Sequence, residues 1–214
     1  MPSATPPADP SSIDEFEDGN TQLLKRGGRN GYWFTSAGNP DDALAMITAP
    51  VNAQLIVAPE PAGDANDTKK AAHVVATAIS PDDGAHAELG VNFVNPASGE
   101  TLAPAYPDAG TYIGISFRAR VGDDAAETTQ VIRFAVPTTE TAADSDHYAK
   151  DVTVTQEWEQ YFVQWADADF MQQGFGAEAT FSAAEATGLQ FKLVSPAESL
   201  DLWVDDIAFI PAAQ

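Results

Sequence analysis

The strongest constraint in this 214-residue chain is a period-two alternation of apolar and polar side chains. In Tyr112 to Arg120 (YIGISFRAR), Ile113, Ile115 and Phe117 fall on one side of an extended backbone, and Gly114, Ser116, Arg118 and Arg120 on the other. The pattern recurs. Ile132, Phe134 and Val136 oppose Arg133; Tyr161, Val163 and Trp165 oppose Gln160, Phe162 and Gln164; Leu189, Phe191 and Leu193 oppose Gln190 and Lys192. With Gly, Pro and Asp punctuation, the alternation predicts strands over Ser12 to Phe16, Tyr32 to Ser36, Gln54 to Ala58, Ala72 to Ile79, Ala87 to Asn95, Tyr112 to Val121, Gln130 to Pro137, Lys150 to Val154, Glu159 to Trp165, Leu189 to Val194 and Leu200 to Ile210. Helical character is confined to Asp41 to Ile47 and to a turn within Ala177 to Thr187, where Ala and Glu are good helix formers. The chain therefore reads as all-β, one sandwich or barrel.

Residues 1–12 are rich in Pro, Ser and Ala, the composition of a solvated tether, so a single domain is expected over residues 13–212. A tether suggests an exported or multidomain parent, with a signal or lipoprotein anchor removed and an extracellular or cell-surface location. The segments Thr138 to Asp146 and Pro59 to Thr68 read as long polar loops, which in a sandwich gather at rims where ligands are met. There is no cysteine, so disulfides, thiolate metal sites and cysteine nucleophiles are excluded. With 32 Asp and Glu against ten Lys and Arg, the formal charge is −22, which argues against nucleic acid or an anionic membrane as partner. No run approaches the about 18 apolar residues of a membrane-spanning helix.

Two acidic knots sit in apolar frames. One is the pair Asp205 and Asp206 in the last strand (SLDLWVDDIAFI); the other is Ile13 to Gly19 (IDEFEDG). Buried carboxylates are costly unless paired or metal-bound, and basic residues are scarce, so a hard cation such as calcium is a natural partner linking the first strand to the last. The alternative is a turn at Glu17 to Gly19 with Asp205 and Asp206 capping an exposed bulge.

IDEFEDG, GRNGYWF (Gly28 to Phe34), YIGISFRAR, VTQEWEQYFVQW (Val154 to Trp165), FMQQGFG (Phe170 to Gly176) and LDLWVDDIAF, taken in this order, resemble the galactose-binding-like jelly-roll carbohydrate-binding modules, notably family eleven and its relatives. The resemblance implies a β-sandwich of two antiparallel sheets, a structural calcium near the termini and non-catalytic polysaccharide binding. It places the metal ligands on Glu17, Asp205 and Asp206, with Asp18 as a weaker candidate. The chain departs from the pattern at Phe175, where relatives carry tryptophan, and in lacking a cysteine pair near His147 and Tyr148.

Sugars are held by aromatic faces and planar polar groups, so strand faces mixing aromatic rings, Gln and Arg are the candidates. Arg118, Arg120, Arg133 and Lys192 form a polar groove with Phe162 as platform if their strands are neighbours, and Gln164 belongs with them; otherwise each cation simply pairs with a surface acid. Tyr32 and Trp33 in their Gly-flanked segment, Tyr148, and Gln172 near the sheet edge complete the set. Trp158 and Trp203 read as packing. Polysaccharide is the expected partner, a β-glucan by resemblance or an acidic glycan by the basic strand faces, with the chain a monomer or part of a larger secreted protein. Two alternatives stay open: a structural or adhesion sandwich without a sugar site, and a jelly-roll lyase using His147, Tyr148 and Arg133.

Overall fold

Side chains that alternate in sequence alternate between core and outer surface in space. A computed structural model of the chain describes residues 9–38, 56–59, 70–77, 86–123, 125, 127–193 and 199–213. In chain order the strands are β1 (Ser12–Asp14), β2 (Trp33–Gly38), β3 (Ile56–Pro59), β4 (Lys70–Thr77), β5 (His86–Asn92), β6 (Tyr112–Val121), β7 (Thr129–Val136), β8 (Tyr148–Thr155), β9 (Glu159–Gln164), β10 (Gly188–Leu193) and β11 (Ser199–Pro211). They pair antiparallel in two sheets. One has six strands, β3-β4-β11-β6-β9 with β1 added along β11; the other has five, β2-β5-β10-β7-β8. This is the two-sheet antiparallel jelly roll expected, with strand ends displaced from the sequence reading by at most three residues.

The core lies between the sheets. Phe117 of β6 stacks on Phe134 of β7 at 5.3 Å and meets Phe191 of β10 edge-on at 5.0 Å, so these buried rings join one layer to the other. Burying each such ring stabilises the fold by about 1.5–3 kcal/mol. Ile115, Val163, Leu200, Leu202 and Val204 complete the six-stranded side, and Leu89, Val91, Ile132 and Leu189 the other. Their polar neighbours in sequence are thereby committed to the two outer faces.

The expected helical turn in Ala177 to Thr187 is reduced to a 3-10 turn at Ala183–Glu185, and Asp41 to Ile47 lies outside the described residues. Of the loop Pro59 to Thr68 only Pro59 is described, at the end of β3. Ser11 and Ser12, which composition assigns to the tether, are packed rather than solvated, while Asp9 and Pro10 stay exposed. Ser11 and Ser12 are buried, the Ser11 carbonyl accepts the Phe209 N–H at 2.9 Å, and the buried Arg29 guanidinium donates to the carbonyls of Pro10 and Ser12. Among the described residues no helix is long and apolar enough to cross a membrane.

Candidate functional site

The outer face of the five-stranded sheet carries two aligned rows of side chains. The register places Ser36 opposite Glu88, Glu88 opposite Lys192, Lys192 opposite Arg133 and Arg133 opposite Asp151, one residue from each strand. The charges pair along this row. Arg133 Nε and Nη2 donate to the two oxygens of Asp151 at 2.7 and 2.9 Å, and Lys192 Nζ lies 3.4 Å from Glu88. The Asp151 hydrogen bonds raise the Arg133 pKa above its ordinary value. Charged groups thus stand side by side along this row, each fixed by its own partner, with Glu88 buried, Lys192 and Arg133 half-buried and Asp151 exposed.

The next row is Phe34, Gly90, Gln190, Ala135 and Ala149, continued past the sheet edge by Met171, which bridges to Ala149. Its floor is small because Gly90 has no side chain; the Phe34 ring occupies the space where a Cβ would stand. At the centre, the Gln190 Oε1 is buried with no hydrogen-bond partner among the described residues. Tyr32, 51% exposed, stands at the β2 edge; Met171, 51% exposed, lies beside β8, and Phe175, 68% exposed, in the loop that follows it and is tied to Asp146 just ahead of β8. The two edge strands are four steps apart, about 19 Å at the usual strand spacing.

The β8 edge is shaped by the loop that carries FMQQGFG. The buried Asp146 carboxylate accepts the backbone N–H groups of Gln173, Gly174 and Gly176 at 2.8, 3.0 and 3.0 Å. Burial pushes its pKa up, but those N–H groups together outweigh it and hold the carboxyl below its ordinary value. His147, beside it, places Nδ1 2.9 Å from Thr141 Oγ1, and burial, aided by the Lys192 charge, lowers its pKa to about 4.

The groove expected from Arg118, Arg120, Arg133, Lys192 and Phe162 is divided. Arg133 and Lys192 share the face just described, whereas Arg118, Arg120, Phe162 and Gln164 lie on β6 and β9 of the opposite sheet. There Arg118 is buried over the Trp158 ring at 5.1 Å, and Arg120 is buried, donating to the Val121 carbonyl at 3.1 Å and pairing with Asp123. Scarce cations on strand faces marked internal ties rather than one groove. Phe162, 55% exposed, and Gln164 stand at the β9 edge opposite Ser116 and Gly114, one row and more from the buried Arg118 on the same face.

Three further candidates are turned inward. Trp33 is a core residue at 4% exposure, its Nε1 donating to Asp14 Oδ2 at 2.7 Å, because the chain enters β2 with Trp33 on the inner side. The Tyr148 hydroxyl donates to the Ala179 carbonyl at 2.6 Å within a cluster of Phe170 and Phe181. Gln172 donates to the carbonyls of Asp146 and Ala177 and accepts the Ala179 N–H, which engages both ends of its amide inside the loop. Phe34, Gln190, Asp151 and Glu88 were missed for one reason: they need the strand order, and alternation within a strand says nothing of its neighbours.

The first and last strands do lie together, Ser12 opposite Ala208 and Asp14 opposite Ile207. The four acids named for calcium do not converge there. Glu17 and Asp18 are exposed on the turn after β1; Glu17 Oε1 accepts the Lys70 N–H at 3.3 Å, its carbonyl accepts Lys70 Nζ at 3.2 Å, and Asp18 Oδ1 accepts the Asn20 N–H at 3.1 Å. Asp205 is buried opposite Arg118 in the ladder, and Asp206 lies 3.8 Å from the same guanidinium. Among the described residues no three of His, Asp and Glu are grouped as side-chain ligands of one metal. The doublet marks a bulge instead: the β11–β6 register shifts between Asp205 and Ala208, and Asp206 takes a φ of 47°. The buried acid of the first strand is Asp14, which accepts the Phe16 N–H and the Trp33 indole, and burial raises its pKa to about 6.

No protein-family model and no curated protein sequence matches the chain. Solved structures do. A family 11 carbohydrate-binding module from Clostridium thermocellum, in complex with a β-1,3-1,4-mixed-linked tetrasaccharide, matches at a TM-score of 0.52 and 16% identity over 85% of this chain and 90% of that one. The family 30 module of a cellulosomal cellulase of Clostridium thermocellum gives 0.52 at 14% identity, over 85% of this chain and 92% of the module. A β-1,2-glucanase from Parabacteroides distasonis gives 0.53 at 13%, over 97% of this chain but 26% of the glucanase. At these identities the likeness is one of fold, and it agrees with the jelly roll that the motifs predict.

Proposed function

We propose that this chain is a non-catalytic carbohydrate-binding module that holds a polysaccharide against the outer face of its five-stranded sheet. The observation that carries this reading is the assembly of aromatic and planar polar groups there. Tyr32 and Phe34 supply rings, the Glu88–Lys192 and Arg133–Asp151 pairs supply donors and acceptors, and Gln190 Oε1 is an acceptor without a partner. Likeness of fold to a module bound to a glucan tetrasaccharide supports the same reading. Both cations of the charged row are paired with carboxylates and the chain carries −22, so a neutral glucan suits the face better than an acidic polymer.

The role would be to bring an attached enzyme or a cell surface to the polymer outside the cell. Catalysis by a lyase-type Tyr–His–Arg set has no support here, because the Tyr148 hydroxyl is spent on the Ala179 carbonyl.

Affinity electrophoresis through mixed-linkage β-glucan, β-1,2-glucan, agarose and a polyuronate tests the proposal. Retention by at least one polymer is expected. Phe34→Ala should weaken it about tenfold, the order of one lost stacking contact, whereas Phe162→Ala on the opposite sheet should leave it unchanged. Free migration in every polymer, or dependence on Phe162 in place of Phe34, would overturn the assignment.

A further inference from the structure

Resting on that reading, we infer that Asp146 is a positioning residue for glycan binding: its carboxylate fixes segment 173–176 so that Phe175 stands at the β8 edge as the ring opposite Tyr32. Asp146 immediately precedes His147 and β8, and its backbone is tied to the same loop through its carbonyl, which accepts Gln172 Nε2 at 2.9 Å. Three N–H groups of four consecutive residues converge on one buried carboxylate, and a fourth tie runs from the Ala177 N–H to Asp144 Oδ2 at 2.6 Å. Gly174 takes a φ of 87°, which permits the chain to fold back around the acid.

A loop organised this way has little freedom, yet it exposes Phe175 more fully than any other large apolar side chain among the described residues. Exposing that ring on a rigid turn has a solvation cost that a solvated loop of Gly and Gln does not need to bear. The turn is joined to the binding face through the Met171–Ala149 bridge, with N–H···O distances of 3.0 Å in both directions. Tyr32 at β2 and Met171 beyond β8 therefore bound the two edges of the small-floored row, and Phe175 follows Met171 by four residues in the same loop. A ring held in place before the sugar arrives contributes its stacking without the ordering cost of a mobile one.

The test is a double-substitution cycle on polymer affinity, using the panel member that retains the unmodified protein best, with the full chain throughout. Asp146→Asn keeps the volume but replaces one accepting oxygen with a donor that Gly174 and Gly176 cannot use. Phe175→Ala and Asp146→Asn are each expected to weaken binding about five- to tenfold, and the double variant no more than the worse single one. Amide exchange at Gly174 and Gly176 should accelerate in Asp146→Asn while strand amides keep their protection. Wild-type affinity in Phe175→Ala, or a loss from Asp146→Asn that persists undiminished in the Phe175→Ala background, would overturn the inference while leaving glycan binding intact. Absence of binding by the unmodified protein to every polymer would remove both.

Discussion

At the scale of single residues, Gln190 separates a binding role from a structural one. A buried acceptor without a partner destabilises the folded chain, so Gln190→Ala is expected to leave thermal stability unchanged or raise it while polymer affinity falls several-fold. Parallel losses in both measurements would mean the amide is structural. Asp14 and His147 carry opposite pH dependences. The folded-state pKa of Asp14 is raised from 3.8 to about 6, so the folded protein retains a proton that the unfolded chain has lost, and stability from this group rises as pH falls through that window. His147 is lowered from 6.5 to about 4, so the unfolded chain takes up the proton first and stability from this group falls over nearly the same window. Relative to the unmodified protein, Asp14→Asn should lose melting temperature and His147→Gln gain it on going from about pH 7 to about pH 4.5. Three parallel curves would contradict both assignments. None of this was legible from residue type: Asp14 sits one position from Glu15 in the same acidic knot, and only its place on the inner side of β1 distinguishes it.

At the scale of elements, β1 is three residues long and would be marginal alone. It is held by Arg29, whose guanidinium reaches the carbonyls of Pro10 and Ser12 and the Tyr106 hydroxyl, and lies 5.7 Å from the ring centres of both Tyr106 and Phe209. A cation does join the first strand to the last, and it belongs to the chain. Arg29→Ala should cost about 3 kcal/mol in urea unfolding, from the lost packing and the carbonyls left without donors. Because Lys70 stands at Glu17 and Arg118 at Asp206, a chelator is expected to leave the melting temperature unchanged. A fall on chelation that calcium restores would return a metal to the β1–β11 junction.

At the scale of the whole molecule, a charge of −22 spread over one sandwich is self-repelling, and salt screens it. The melting temperature should therefore rise between about 10 mM and about 1 M salt, while binding to a neutral glucan, which involves no counterion release from the ligand, stays nearly constant. Steep loss of affinity with salt would point to an acidic polymer. The two outer faces are chemically unlike. On the six-stranded sheet His73 stacks on Trp203 at 4.0 Å and Arg118 covers Trp158, which leaves Phe162 as the exposed ring at the β9 edge, whereas Tyr32 stands exposed at the β2 edge of the five-stranded sheet and Phe175 in the loop before β10.

What the sequence determined by itself was the all-β character, the approximate span of each strand and the inward face of most strands, because side-chain alternation is a local property of an extended backbone; Trp33 and Tyr148, read as ligand contacts, proved to face inward. The motif order added the jelly-roll topology, and the meeting of first and last strands followed. Which cations share a surface was decided only by the tertiary structure. Arg120 and Arg133 alternate identically within their strands, yet pairing across sheets set one on β6 and the other on β7, on opposite sides of the core. The role of the Asp205–Asp206 doublet was likewise decided by pairing: a register shift against β6 turns two adjacent acids into a bulge beside an arginine, and strand pairing is a long-range contact that no single segment encodes.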